Sequence, residues 1–224
     1  MPQVTRTKND LKRLAHGQAG RLRLASECHS CFDWLMPILN HYRREWSDVE
    51  LDFATGFEPE PHHLLMEGDI DLLITTSDLP LDGISYQPLF EYESRLVLSP
   101  THDLATQEFI EPDDLTNETL IAYPVEAKRL DIIANFMTPS DVSFADIRAT
   151  ELTAMLIQLV ASERGVAALP DWVVAEYEKK GWVVSRPLGD GVYCQLYAAT
   201  RTSSQDTAYM QGFASLLDGI VKPL

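Results

Sequence analysis

Apolar positions along this chain of 224 residues repeat with two periods, which predict two kinds of element. Alternation at every second residue, as at Leu22 and Leu24, is typical of a half-buried strand, and spacing of three to four residues is typical of a helix. We predict strands at 22–26, 49–53, 70–75, 89–98, 120–123, 166–169, 183–184 and 193–199, a strand-like stretch at 142–147, a helical turn at 112–115, and helices at 32–46, 61–67, 128–137, 152–162, 171–180 and 207–221. This alternation of strands and helices favours an α/β fold with parallel or mixed sheets.

Two stretches, 67–74 and 163–170, share one pattern in which a helix ends at a glycine and a strand follows. Gly68 and Gly165 stand where a glycine in the left-handed region would terminate the preceding helix. The apolar runs after them suit strands that are covered on both faces. We predict Ser30 and Asp171 as N-caps of the helices that follow them, and Pro37 as the site of a kink or of a later helix start.

The bulk composition is that of an ordinary globular protein, with 45% apolar and 23% charged residues. No apolar run approaches the roughly 18 residues of a membrane-spanning helix, and the polar, basic start shows no secretory signal. Three cysteines do not suggest a secreted disulfide framework. We therefore expect a cytoplasmic protein.

The net charge of −16 argues against nucleic-acid binding by the main body, because phosphate contacts need basic residues. The charge is uneven, since residues 1–23 hold six basic side chains against one acid, which leaves −21 for the remainder. A solvated linker would explain the basic start. The alternative is that a basic DNA-binding module precedes it.

Residues 1–20 have sparse apolar points at helical spacing, Val4, Leu11 and Leu14, and the pattern ends at Gly17 and Gly20. We expect 1–20 to be the remnant of a helix or tail in a truncated chain, with Met1 a cloning start.

The sequence Glu27-Cys28-His29-Ser30-Cys31 lies between the first strand and the first helix, where backbone N–H groups can hold an anion. Ser30 with Asp33 three residues later would form a capping box, and a cap with no further role is the alternative. The Cys-X-X-Cys spacing permits redox or metal chemistry, but no second such pair supplies further ligands. We therefore predict no metal.

The stretches 67–74 and 163–170 resemble the effector-binding domain of LysR-type transcriptional regulators. The resemblance implies a two-lobed fold like the type-2 periplasmic binding proteins, in which each lobe is a mixed sheet flanked by helices. One lobe would comprise 21–98 plus 195–224 and the other 99–194, with 1–20 left from a linker helix. The effector would lie in the cleft between the lobes, and DNA would be bound only by a missing N-terminal winged helix-turn-helix.

Four stretches are similar to the subgroup of this family that regulates methionine biosynthesis and responds to homocysteine. They are 27–31, 76–78, 121–125 and 165–174, and the similarity runs from about residue 2 to 199. One departure is Thr101-His102-Asp103, because family members usually carry proline after the histidine. The resemblance implies homocysteine as the effector, no cofactor, no membrane, and a homodimer or higher homo-oligomer.

The resemblance also implies the ligand-binding residues, which we expect to be Cys28, His29, Ser30, Cys31, Thr76, Ser77, Tyr123, Glu151, Thr153, Leu169 and Pro170. Ser30, the Cys31 amide and Thr76 would hold the carboxylate of the amino acid, and Glu151 would hold its ammonium group. Glu151 could instead complement the dipole of the following helix. Leu169 and Pro170 could equally be core residues.

Two other functions stay open at this point. A small-molecule enzyme on the same fold could use Cys28 or Cys31 as a nucleophile with His29 nearby, but adjacent residues rarely face one reacting atom. A periplasmic solute-binding protein would need a signal peptide. A ligand-sensing domain needs no catalytic group, so we predict a regulator and no enzyme.

Overall fold

A computed structural model describes residues 19–27, 31–54 and 61–218, and these residues form two compact units. The first unit takes the residues up to Phe90 and those from Leu196 onward, and the second unit is Glu91–Gln195. In chain order the elements of the described residues are β1 (Gly20–Ser26), α1 (Phe32–Glu45), β2 (Val49–Phe53), α2 (Pro61–Glu67), β3 (Leu72–Thr75), β4 (Ile84–Leu98), β5 (Thr119–Ala122), β6 (Asp146–Ala149), α3 (Thr153–Ala161), β7 (Ala167–Pro170), α4 (Asp171–Glu178), β8 (Val184–Arg201) and α5 (Ala208–Leu217).

The first unit is a mixed sheet with the strand order β2-β1-β3-β8-β4. β1 pairs in parallel with β2 and β3, and β3 pairs antiparallel with β8. All four residues of β3 are buried, as expected for a strand that is covered on both faces. α1 buries Leu35, Leu39 and Tyr42, which lie at helical spacing, and the Tyr42 hydroxyl donates to the Tyr209 carbonyl at 2.9 Å.

The second unit is also a mixed sheet. β4 pairs antiparallel with β7, β5 pairs in parallel with β6, and a bridge between Leu120 and Val166 joins the two pairs. The apolar residues of α3 that face inward are Leu156, Ile157 and Val160. Both units therefore follow the predicted α/β alternation.

The two glycines of the shared pattern differ in the structure. Gly68 has φ of +85°, and the Asp69 N–H donates to the Leu64 carbonyl at 2.9 Å, so Gly68 ends α2 as predicted. The prediction for Gly165 was wrong, because Glu163 takes the left-handed conformation after α3 with φ of +55°. Gly165 is needed for another reason: a Cβ there would lie 2.3 Å from the Thr119 carbonyl oxygen on β5.

The predicted helix over 128–137 is broken. A short turn at Ala127–Arg129 precedes a wide π-helical segment at Ile133–Met137, and a further turn follows at Thr138–Ser140. Pro139 stands at the start of that last turn, and Asp141 closes it in the left-handed conformation. π-helical turns are rare and frequently lie at functional positions, and helical periodicity alone does not reveal them.

Several predicted strands have other limits. β8 is one strand where two were predicted, because it continues through Gly189 and Gly191 at positive φ. β4 begins at Ile84, five residues before the predicted start. The strand-like stretch at 142–147 is strand only in β6.

The helix starts also differ by small amounts. α1 begins at Phe32 and continues through Pro37, and its N-cap is Cys31 where Ser30 was predicted. Pro170 is the N-cap of α4, so that Asp171 is its first helical residue. Such shifts of one residue are common at helix ends.

Candidate functional site

The predicted site residues Cys28, His29 and Ser30 lie outside the described residues. Cys31, the next residue, is fully buried at the start of α1, and its carbonyl accepts a hydrogen bond from the Leu35 N–H at 3.0 Å. α1 is the next described element after β1 along the chain.

A hydrogen-bonded group joins the carboxyl ends of β1 and β3. The two strands are parallel neighbours, so Glu27 after β1 and Thr75 at the end of β3 reach the same edge of the sheet. The Thr75 hydroxyl is fully buried, donates to the Glu27 carboxylate, and accepts from the Ser77 N–H at 3.0 Å. The Glu27 N–H donates to the Ile74 carbonyl at 2.9 Å, so both the backbone and the side chain of Glu27 are held.

Thr76 and Ser77, both predicted as ligand-binding residues, follow β3 and are half-buried. The Ser77 carbonyl oxygen lies 3.3 Å from Nε2 of His62 on α2. The structure thus places these two predicted residues beside Glu27 and Thr75. Neither Glu27 nor Thr75 was among the predicted residues, although Glu27 stands in the motif that led to the prediction and Thr75 is the polar residue that ends an apolar run.

Two tyrosines of the first unit lie near this group. Tyr86 of β4 packs edge-on against Tyr197 of β8 with ring centroids 6.2 Å apart, and its ring is also 6.2 Å from His62. Tyr197 stands directly opposite Thr75 in the register of β8 and β3. The Tyr86 hydroxyl oxygen is buried and has no hydrogen-bond partner within the described ranges.

The electrostatic surroundings of both tyrosines are negative. Burial is the main reason that the pKa of Tyr86 is raised, and the negative charges of Asp78 and Glu27 also raise it. Burial also raises the pKa of Tyr197, and so do the charge of Asp78 and a hydrogen bond with it. Sequence reasoning missed both tyrosines, because only the pairing of distant strands brings them to this edge.

In the second unit the structure joins two predicted residues. The Tyr123 hydroxyl, just after β5, lies 2.7 Å from the Thr153 hydroxyl at the start of α3. Glu151 is exposed and precedes the N-cap of α3, and no ion pair of Glu151 occurs among the described residues. Leu169 is 1% exposed and therefore a core residue, whereas Pro170 is half-buried at the end of β7.

A second polar group in the second unit joins the buried side chains of Tyr92 and Cys194 to Asp131 and Asn135. The Tyr92 hydroxyl of β4 donates to the Asp131 carboxylate at 2.8 Å, and Asn135 Nδ2 lies 3.9 Å from Cys194 Sγ on β8. Burial raises the pKa of Asp131 despite its hydrogen bonds with Tyr92 and Cys194. Burial, followed by the charge of Asp131, raises the pKa of Cys194 to about 12, so this thiol stays protonated and unreactive at neutral pH.

The described residues contain neither a metal-binding cluster nor a membrane-spanning helix. No set of three or more His, Cys, Asp or Glu side chains there is grouped closely enough to hold a metal ion. No described helix has both the length and the apolar character needed to cross a membrane.

Comparison with known proteins gives one consistent result. Residues 15–219 match the family of LysR substrate-binding domains. The chain is 43% identical to the transcriptional regulator MetR of Salmonella typhimurium over 95% of its own length and 66% of that protein's length. It is 40% identical to MetR of Haemophilus influenzae, again over 95% of its length and over 69% of that protein. The chain thus spans about two thirds of the curated relatives that it matches.

The structure matches the regulatory domain of MetR, a LysR family regulator from N. meningitidis, with a TM-score of 0.82 and 44% identity. The match covers 89% of this chain and 92% of that domain. The predicted family and fold class are confirmed. The relatives are transcriptional regulators, which agrees with the prediction that the chain is no enzyme.

Proposed function

This chain belongs to the LysR substrate-binding domain family and resembles MetR regulators, and from that premise we propose that it senses homocysteine in the control of methionine biosynthesis. Binding of homocysteine would alter how an N-terminal winged helix-turn-helix, outside this chain, holds DNA. The full-length regulator would act in the cytoplasm as a homodimer or higher homo-oligomer. No cofactor is needed for such a function.

The observation that supports this proposal most is the polar group at the carboxyl edge of β1 and β3. Amino acids are zwitterions, so a site for them needs an acceptor for the ammonium group and donors for the carboxylate. Glu27 offers a fixed carboxylate, and Thr76 and Ser77 offer hydroxyl groups within two residues of the buried Thr75. Ligands of open α/β sheets bind at this edge of the strands.

The ligand-binding residues that the sequence implies remain proposals. In the first unit they are Cys28, His29, Ser30, Cys31, Thr76 and Ser77, and in the second unit Tyr123, Glu151, Thr153, Leu169 and Pro170. Ser30, Thr76 and the Cys31 amide would bind the carboxylate. Glu151 is the ammonium partner that the sequence predicts, and its exposure in the structure makes it a weak one, since solvent screens exposed ion pairs.

A thermal-shift and calorimetric titration tests the effector. L-homocysteine should raise the melting temperature, because a ligand that binds only the folded state stabilises it by mass action. Methionine should raise it less, since its additional methyl group must fit a pocket for a thiol. Equal shifts with both compounds, or none with either, would contradict the homocysteine proposal.

The cysteine motif provides a control for the same titration. Cys28→Ser should leave homocysteine binding measurable, because sensing needs no covalent bond to the protein. Ser30→Ala should weaken binding by about 1–3 kcal/mol, the usual cost of losing a hydrogen bond to a charged group. If Cys28→Ser alone abolished binding, a thiol-based site would replace the proposed one.

In this proposal DNA is bound by the N-terminal winged helix-turn-helix and not by this chain. The residues after 23 carry a charge balance of −21, so the chain itself should not bind duplex DNA at physiological salt. A mobility-shift experiment with this chain checks that expectation. Binding below micromolar concentration would show that the chain has its own DNA-binding surface.

A further inference from the structure

The strongest unexplained feature of the first unit is the Tyr86 hydroxyl. A phenol that is buried without a hydrogen-bond partner costs about 1–3 kcal/mol relative to a satisfied one. The Tyr86 oxygen is buried, and none of the described residues supplies a partner for it. The ring is nevertheless well held, because it packs against the apolar cluster of Leu65, Ile70 and Leu73. The position of the hydroxyl is therefore fixed.

The charged groups near this hydroxyl are both carboxylates. Glu27 and Asp78 are close enough for their negative charges to raise the pKa of Tyr86. The rings of Tyr86 and Tyr197 supply aromatic faces, and the quadrupole of a tyrosine ring attracts cations. An anionic group would be repelled here. A cationic group would be attracted by the carboxylates and by the rings.

The Glu27 carboxylate is also prepared for a directed contact. Thr75 donates to one of its oxygens, and the Thr75 hydroxyl is itself fixed because it accepts from the Ser77 N–H. A carboxylate that is oriented in this way loses little entropy when it binds a donor. A primary ammonium has three N–H donors and no acceptor, so it can bond to a carboxylate and to a phenol oxygen together.

From these contacts we infer that the first unit contains the subsite for the ammonium group of the effector, formed by Glu27 and the Tyr86 hydroxyl with Tyr197 as its aromatic wall. This inference rests on the proposed function and names the chemistry of that site: a ligand with a primary α-amino group. It assigns the ammonium to Glu27 in place of Glu151. Glu27 is held by a buried hydroxyl, whereas Glu151 is exposed.

The test compares two ligands and two matched variants by calorimetric titration. L-homocysteine carries the ammonium group, and γ-mercaptobutyrate is the same molecule without it. The wild-type chain should bind homocysteine about 10-fold to 100-fold more tightly, the range expected for a hydrogen bond to a charged group. Glu27→Gln should lose that factor for homocysteine and bind γ-mercaptobutyrate unchanged. Gln keeps an acceptor oxygen for Thr75, so folding should be preserved.

Glu151→Gln tests the competing assignment: if Glu27 holds the ammonium group, this variant keeps the preference for homocysteine over γ-mercaptobutyrate. The inference is overturned if Glu151→Gln loses the preference for homocysteine while Glu27→Gln keeps it. It is also overturned if Glu27→Gln weakens both ligands by the same factor, because the residue would then be structural.

Tyr86→Phe gives a second, independent readout. The variant should bind homocysteine about 5-fold to 10-fold more weakly, since a neutral hydroxyl contributes less than a carboxylate. Its melting temperature without ligand should not fall, because the lost hydroxyl has no partner in the folded chain. Unchanged homocysteine affinity in Tyr86→Phe would remove this residue from the subsite.

Failure of the effector proposal can be told apart from failure of the subsite. A panel of L-cysteine, L-methionine and L-serine, each beside its analogue without the amino group, separates the two. If homocysteine does not bind but another amino acid binds with the same dependence on Glu27, the effector was wrong and the subsite is confirmed. If no compound with an α-amino group binds the wild-type chain, both are wrong.

Discussion

Two tyrosines of the same strand have opposite surroundings. Tyr86 and Tyr92 lie six positions apart on β4, in the first and second unit respectively. The Tyr92 hydroxyl donates to Asp131 at 2.8 Å, and the Tyr86 hydroxyl has no partner among the described residues. Most buried polar groups in folded proteins have a hydrogen-bond partner, so the Tyr86 hydroxyl requires an explanation, and a bound ligand is the one that we propose.

The difference extends to the neighbours of each tyrosine. Around Tyr92, the side chains of Asp131 and Asn135 each have a hydrogen bond with Cys194, and the raised pKa values of Asp131 and Cys194 follow mainly from burial. Around Tyr86 the acids are Glu27 and Asp78, and Asp78 is exposed. The side chains around Tyr92 bond within their own group, whereas the group around Tyr86 lies at the carboxyl edge of β1 and β3, the edge at which open α/β sheets generally bind ligands.

The largest effect on the free energy of unfolding should come from removing the Asp131 side chain. Asp131→Ala removes the acceptor of the Tyr92 hydroxyl and one of the hydrogen-bond partners of Cys194. We expect a loss of about 2–3 kcal/mol in the free energy of unfolding. Urea denaturation measures it. A loss of less than about 0.5 kcal/mol would contradict a structural role for this network.

Tyr92→Phe should have the next largest effect. It removes one donor to Asp131 and keeps the ring, so we expect a loss of about 1–2 kcal/mol in the same denaturation experiment. Homocysteine affinity should stay that of the wild type. A change in affinity without a change in stability would mean that Tyr92 belongs to the ligand site.

The sequence predicted the element types well and the polar networks poorly. The alternation around Leu22 and the helical spacing of Leu35 and Leu39 are local patterns, and they led to β1 and α1. Gly68 could be read as a helix end, because its role depends on its own backbone. The role of Gly165 could not be predicted from its own stretch of sequence, because it depends on the close approach of the Thr119 carbonyl on another strand.

The residues of the candidate site could likewise be predicted from the sequence only in part. The motif that contains Glu27 was recognised, but its partner Thr75 stands at the end of an apolar run and resembles any strand residue. Tyr86 and Tyr197 carry no sequence signal, since the pairing of β3 with β8 decides what stands opposite Thr75. The π-helical segment that contains Asn135 likewise has the periodicity of an ordinary helix.

A smaller effect is expected from pH. The folded pKa of Asp131 lies above its ordinary value of 3.8, so the folded chain holds this proton more tightly than the unfolded chain. Its contribution to stability is present at pH values below 3.8 and is lost as pH rises through the folded pKa. The stability of the wild type relative to Asp131→Asn should therefore increase as pH falls from about 7 to about 4. If the stability of the wild type and that of Asp131→Asn changed equally with pH, the burial of Asp131 would be contradicted.

The most direct measurement compares the melting of Tyr86→Phe, Tyr92→Phe and the wild type with and without homocysteine. Tyr92→Phe should melt about 2–8 °C lower and keep the full homocysteine shift, since about 2–4 °C corresponds to each kcal/mol in a chain of this size. Tyr86→Phe should melt at or above the wild-type temperature without ligand and show a smaller homocysteine shift. If Tyr86→Phe instead melts lower without ligand and keeps the full shift, its hydroxyl is structural and the account of the first unit is wrong.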